Sequence, residues 1–284
     1  MMALIGRLVL GLACSAGIGF LAFRREALDF SGAVGAAVAG TLIFGLGGWI
    51  WGALLITFFL LSTLLSKYKA RTKASLAEKF AKGSRRDLGQ VLANGGAGIV
   101  LAILYAWMAH PVLLFAFGGA MATVNADTWA TELGVLSRRP PRLITSGEVV
   151  EPGTSGGISL VGTLATGVGG LVIGGAALAY LWLDGAFGGG GAALAGGSTM
   201  LPALVAATAV GGLGGSFFDS LLGATVQAIY YTRRRSKETE RPIEPDGTPN
   251  QLLRGWRWLN NDWVNFLSSL VGAGLGSLVY LVAH

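Results

Sequence analysis

Charge in this chain is confined to a few blocks, and between them lie apolar runs of about 20 residues, each long enough to cross a bilayer as a helix. Only 13% of the 284 residues are charged and 52% are hydrophobic, whereas soluble domains carry about 25% charged residues. The pattern predicts an all-α fold, a polytopic transmembrane helical bundle forming a single transmembrane domain over residues 1–284. Eight spans are expected near 4–23, 30–46, 49–66, 90–109, 111–136, 157–183, 199–231 and 262–283. The run from 30 to 66 is too long for one crossing and is broken at Gly45, Gly47 and Gly48, which predicts a tight hairpin. His110-Pro111 divides 90–136 in the same way. Glycine at 46 positions would argue disorder in water, but in lipid it argues close helix contacts. Cys14 is alone, so no disulfide within the chain can form and no redox compartment is implied. Gly11-Leu12-Ala13-Cys14 is a poor lipobox, and the first run lacks a convincing cleavage site and reads as a retained helix.

The basic blocks set the sides. The 67–89 loop holds Lys67, Lys69, Arg71, Lys73, Lys79, Lys82, Arg85 and Arg86. The 137–156 loop holds Arg138, Arg139 and Arg142, and the 232–261 loop holds Arg233, Arg234, Arg235, Lys237, Arg241, Arg254 and Arg257. The opposite connections hold no Lys or Arg. Eight crossings put every basic loop on one face, which the positive-inside rule makes cytoplasmic in a bacterial-type plasma membrane, with both termini outside. The net charge of +6 therefore reads as topology, with some bases free to hold phosphates or anionic head groups. It does not imply nucleic acid as a partner.

Four carboxylates interrupt this pattern. Asp127, Glu132 and Asp219 lie inside apolar runs and Asp262 opens the last one. A charge at bilayer depth costs about 2.5–3.5 kcal/mol even on lenient scales, so it faces a partner, a metal or water. Counted along the spans, all four fall in the cytoplasmic half, with Asn94 at the same level, which predicts a pocket opening on that side. No Lys or Arg lies within the inner spans. A divalent cation, Mg²⁺ (or Mn²⁺), is the simplest neutraliser, with Asp127, Asp219 and Asp262 as its ligands; the bland alternative is carboxylates that only lock helices together. The fifth and seventh spans also resemble each other, with Gly118-Gly119 ahead of Asp127 and Gly211-Gly212 ahead of Asp219, so any repeat would be parallel.

Two loops suit phosphate. Gly153, Thr154, Ser155, Gly156 and Gly157 precede the sixth span, where exposed backbone N–H groups and a helix N-terminus attract anions. The segment lacks the Gly-Lys-Ser/Thr ending of a Walker motif and equally suits an ordinary helix entry. Arg85 and Arg86 lead into Asp87, Gln90 and Asn94, which share one helical face, the bland alternative being an ordinary helix cap with interfacial bases. Asn261 and Asn265, i,i+4 beside Asp262, add amides at the start of the last span, while Trp256, Trp258 and Trp263 suit an interfacial belt. With two His and one Cys a zinc site has no support. His110 falls at the outer turn and His284 is last, so Ser/His/Asp catalysis has little support either.

Lys82–Gly96 (KGSRRDLGQVLANGG), Ala126–Gly134 (ADTWATELG), Gly153–Ser159 (GTSGGIS) and Arg257–Asn265 (RWLNNDWVN) together resemble a family of integral membrane proteins that includes the plant plastid phytyl-phosphate kinase. The likeness covers most of the chain and is similar in outline to membrane phytol and dolichol kinases. It implies phosphorylation of a prenyl monophosphate to the diphosphate, with CTP or a related nucleoside triphosphate as donor and an isoprenoid lipid phosphate of phytyl or geranylgeranyl type as acceptor. On that reading Asp127, Glu132, Asp219 and Asp262 hold Mg²⁺ or order its waters. Arg85, Arg86 and the 153–157 loop hold phosphates, and Asn94, Asn261 and Asn265 orient the acceptor or nucleotide. A homo-oligomer is compatible with the sequence. Two other readings stay open: a transporter or flippase for an anionic lipid or small solute, and a scaffold in which the carboxylates are dispensable.

Overall fold

A computed structural model describes residues 2–69, 85–233 and 236–284. Arg71, Lys73, Lys79, Lys82, Arg234 and Arg235 of the basic blocks, and the first three residues of the Lys82–Gly96 motif, lie outside the described residues. Eight long helices follow the apolar runs: α1 (Met2–Arg24), α2 (Phe30–Leu42), α3 (Trp49–Lys67), α4 (Leu88–Met108), α5 (Val112–Gly134), α6 (Leu160–Ala186), α7 (Leu201–Thr225) and α8 (Asn261–Ala283). Seven of these apolar segments are long and apolar enough to cross a membrane. The remaining helix, α5, is the most enclosed, with every residue from Leu113 to Ala126 buried. It packs against α3, α4, α6, α7 and α8. Protein surrounds it, so it can carry Asn125 and Asp127, which a lipid-facing helix would expose at high cost.

The predicted breaks fall where expected, with one difference. α2 runs on through a π-helical turn, Ile43–Gly47, and Gly48 at φ 95° reverses the chain into α3. The two helices then diverge: α2 packs on α1 and α4, and α3 meets it chiefly at the π-turn. The chain reverses at the expected break, and the two arms of the hairpin splay apart beyond it. At the second break Ala109 is left-handed and Pro111 opens α5.

The helices α5, α6, α7 and α8 touch backbone to backbone. A Cβ on Gly119 would fall on the Gly272 carbonyl, and one on Gly211 would sit 2.8 Å from the Gly119 Cα. One on Gly170 would lie 3.0 Å from the Thr208 carbonyl oxygen. Thr123 sits in this contact, its hydroxyl 2.9 Å from the carbonyl oxygens of both Gly119 and Gly211. Small residues at such crossings allow the close approach that stabilises helix pairs in lipid.

The seventh span ends earlier than the apolar run suggests. α7 stops at Thr225, and Ile229–Thr232 becomes β3, the centre of a three-stranded antiparallel sheet with β4 (Lys237–Thr239) and β5 (Gln251–Arg254). A shorter antiparallel pair joins β1 (Arg142–Leu143) to β2 (Gly157–Ile158). β-Branched and aromatic residues in Ile229-Tyr230-Tyr231-Thr232 favour a strand once the segment leaves the bundle. Both sheets lie at the end of the bundle where α3, α5 and α7 finish and α4, α6 and α8 begin.

Candidate active site

At that end the helices splay around a cavity of about 580 Å³, within the range of small-molecule sites. Asp127, Thr128, Thr131 and Glu132 reach it from α5, Ser216, Asp219 and Ser220 from α7, and Asn261, Asp262 and Asn265 from α8. α4 adds Gln90 and Asn94, Arg86 comes from the turn before it, and Ser66 ends α3. The 153–157 loop and the N-terminus of α6, capped by Ser159 accepting from the Gly162 N–H at 3.1 Å, close the side.

Fourteen of the sixteen residues singled out from the sequence line this chamber, namely Asp127, Glu132, Asp219, Asp262, Arg86, Gln90, Asn94, Gly153, Thr154, Ser155, Gly156, Gly157, Asn261 and Asn265. Arg85 and Asp87 do not. Arg85 turns toward α1, donating to the Leu28 carbonyl at 3.2 Å and lying over the Phe23 ring. It and Arg86 are adjacent in the chain and point to different sides. Asp87 caps α4: it accepts from the Gln90 N–H at 2.9 Å while the Gln90 side chain accepts from the Asp87 N–H at 3.2 Å, a capping box.

Arg86 is the one cation lining the chamber among the described residues. Its backbone is pinned to the α1–α2 turn, donating to Ala27 and accepting from Asp29 at 3.0 Å each. Its guanidinium lies 5.8 Å from the centroids of both the Phe58 and Phe59 rings. Burial pulls its pKa below the ordinary guanidinium value and the nearby Glu132 charge opposes that shift, so the group stays cationic. Ser66 in turn donates to Glu132 at 2.6 Å.

The acidic groups gather opposite. Gly119 and Gly211 touch where α5 and α7 cross, and in each helix an aspartate follows eight residues later, Asp127 and Asp219. The two helices run in the same direction, so equal offsets bring the carboxylates level. Asp127, Asp219 and Glu240, just beyond β4, line the same cavity. Asp219 Oδ2 is shut off from solvent and has no hydrogen-bond partner. An orphaned carboxylate oxygen beside a second carboxylate fits a hard divalent cation, which takes one or two carboxylates and completes its shell with water and phosphate. The expected three-ligand set of Asp127, Asp219 and Asp262 is not assembled: among the described residues no three His, Cys, Asp or Glu side chains are grouped to hold a metal. Asp127 and Asp219 remain the fitting pair, because Asp262 enters from the first turn of α8, on another wall.

Sequence reasoning missed Glu240, Ser66, Ser216 and the threonines of α5 and α6. The hydroxyls carry no signal distinct from ordinary helix-packing residues. Glu240 sits in a charged loop where one carboxylate does not stand out.

An eight-helix membrane bundle with a polar chamber at its basic end defines the class of protein. The chain belongs to the integral membrane protein family DUF92, which it matches over residues 13–273. It is 33% identical over 287 residues to Protein PGR of Arabidopsis thaliana, covering 96% of each chain. It is 31% identical over 257 residues to an uncharacterized membrane protein of Methanocaldococcus jannaschii, covering 90% of this chain and 87% of the other. To the chloroplastic protein VTE6 of Arabidopsis thaliana it is 26% identical over 260 residues, covering 90% of this chain and 65% of that one. No solved structure matches.

Proposed function

We propose that the protein is a membrane phosphotransferase that converts a prenyl monophosphate to its diphosphate with a nucleoside triphosphate, its chamber facing the cytoplasm. The observation that carries this reading is the meeting of carboxylates, a half-buried arginine, amides and a glycine loop in a single cavity at the basic end. The family resemblance supplies the reaction class, and CTP as donor rests on that resemblance alone.

In the reaction an oxygen of the prenyl phosphate attacks the terminal phosphorus of the nucleotide. One P–O bond forms as the bond to the bridging oxygen breaks, and a nucleoside diphosphate leaves. The attacking oxygen is already ionised, so no strong base is needed, which suits a chamber without histidine. Catalysis is then positioning and neutralisation of repelling anions. Arg86, its backbone pinned to the α1–α2 turn and its guanidinium beside the Phe58 and Phe59 rings, offers a fixed cation to phosphate oxygens. The N–H groups of the 153–157 loop and the N-terminus of α6 offer further donors. Asn94, Asn261 and Asn265 orient the substrate phosphates. A divalent cation held by Asp127 and Asp219 would supply charge neutralisation. The apolar core of Trp51, Phe115, Phe117 and Met121 fills the other half of the bundle, which weighs against a transport path.

Purified protein in lipid nanodiscs, given phytyl or geranylgeranyl phosphate, Mg²⁺ and each nucleoside triphosphate in turn, should form the diphosphate. Asp127→Asn should abolish the product while the protein stays folded. Unchanged turnover in that variant, or nucleotide-independent uptake of the lipid phosphate, would overturn the reading.

A further inference from the structure

Among the described residues, Glu240 is the one carboxylate of the chamber that does not come from a membrane helix. It stands just past β4, and the amide of Gln227 donates to its Oε1 at 3.0 Å. The same Gln227 accepts from the Ser155 hydroxyl at 2.7 Å through its own Oε1. Gln227 is 1% exposed and fully committed, with one end on the glycine loop and the other on Glu240. Its surroundings are equally fixed. The Arg254 guanidinium donates to the Gly223 carbonyl at 2.7 Å and lies 3.4 Å from the Ser155 carbonyl oxygen. Gly156, at φ 84°, presses on Ala224 so closely that a Cβ there would meet the Ala224 backbone at 2.5 Å. The loop, the end of α7 that carries Asp219, and Glu240 therefore form one connected block.

We propose that Glu240 serves as an outer acceptor at the Asp127–Asp219 site, holding water bound to the divalent cation, and that Gln227 is its positioning residue. This deepens the reading above and rests on it for the cation. The geometry supports an outer role because Asp127, Asp219 and Glu240 line one chamber, yet the three acidic side chains are not grouped as ligands. Outer partners of this kind change metal affinity by about 10–100-fold when removed. Through Gln227, a phosphate seated on the 153–157 loop would stiffen the block that holds Glu240, so the donor's phosphates and the cation's water shell would be set by one structural unit.

Mn²⁺ uptake by the full chain in nanodiscs, read from the EPR signal of free Mn²⁺, tests this without any turnover. Glu240→Gln should weaken Mn²⁺ binding about tenfold, and Glu240→Asp should recover part of the loss. Gln227→Met, similar in shape but unable to donate, should weaken it as well. The double variant should be no worse than the worse single one, because both act through one group. Wild-type affinity in Glu240→Gln, or additive losses in the double variant, would overturn the proposal while leaving the phosphotransferase reading intact. Failure of the wild-type chain to take up Mn²⁺ would overturn the proposal together with the cation's place in that reading.

Discussion

Gly211→Ala tests how the bundle sets its site. The added Cβ would lie 2.8 Å from the Gly119 Cα and 2.9 Å from the Gly272 carbonyl oxygen. Both are backbone atoms and cannot swing aside. Ordinary contact begins at 3.4 Å, so α5 and α7 must part by about 0.6 Å, the difference between 3.4 and 2.8. Overpacking of this kind costs about 1–3 kcal/mol. The crossing lies eight residues from Asp127 and Asp219, about 12 Å along each helix, so the displacement reaches the carboxylate pair. Functional constellations tolerate roughly 0.5 Å of misplacement, and diphosphate formation should fall by at least about tenfold. Gly175→Ala is the control: nothing lies within 4 Å of its added Cβ, and removing a mid-helix glycine should stabilise by about 0.5–1 kcal/mol. Unfolding followed by tryptophan fluorescence in one detergent, with turnover in parallel, reads both. A Gly211→Ala protein that melts at or above the wild-type temperature with full activity would refute the reasoning, as would equal damage from Gly175→Ala.

Three further outcomes are expected. Asp219→Asn should abolish turnover while the protein stays folded, and added Mg²⁺ should raise the unfolding temperature of wild type but not of this variant. Arg86→Lys should raise KM for the lipid phosphate more than it lowers kcat, because an ammonium cannot spread over Phe58 and Phe59 as the guanidinium does, and equal KM values would refute that. Asp29 caps α2, accepting from the Gly32 N–H at 2.7 Å and the Ser31 hydroxyl at 2.8 Å, and these bonds lower its pKa below the ordinary carboxylate value. Its contribution is therefore present above the unfolded pKa and lost as pH falls through the lower folded one, so Asp29→Asn should flatten the acid limb of a stability–pH profile.

How much of this was legible in the sequence follows from which side chains pay a penalty in lipid. Asp127, Asp219, Glu132 and Asp262 stand out because nothing but a shared polar space makes them tolerable, and the chamber holds all four. Helix ends were legible where charge or proline marks them, as at His110-Pro111. They were not legible at 226–231, because an apolar run can continue as helix or as strand and hydropathy does not tell the two apart. The β-branched and aromatic run Ile229–Thr232, followed by turn glycines at Gly247 and Gly255, was the available sign of the sheet. Arg85 and Asp87 were misplaced for a local reason: flanking Arg86, they point elsewhere on the same turn. Glu240 and Gln227 were invisible because no membrane penalty acts on loop residues, and only the folded sheet brings them to the chamber.

The equal spacing in α5 and α7 explains why glycine matters to chemistry as well as to packing. Aspartate is a short side chain, so two carboxylates can share one cation only if their helices come unusually close. Parallel helices that touch at Gly119 and Gly211 meet that condition, and the eight-residue offset in both fixes the depth. Thr123 then locks the crossing by bridging the carbonyls of Gly119 and Gly211. A larger residue at any of these glycines would push the helices apart and, on the proposed reading, loosen the hold of the two aspartates on a shared cation. Close approach and intramembrane charge are therefore two halves of one requirement.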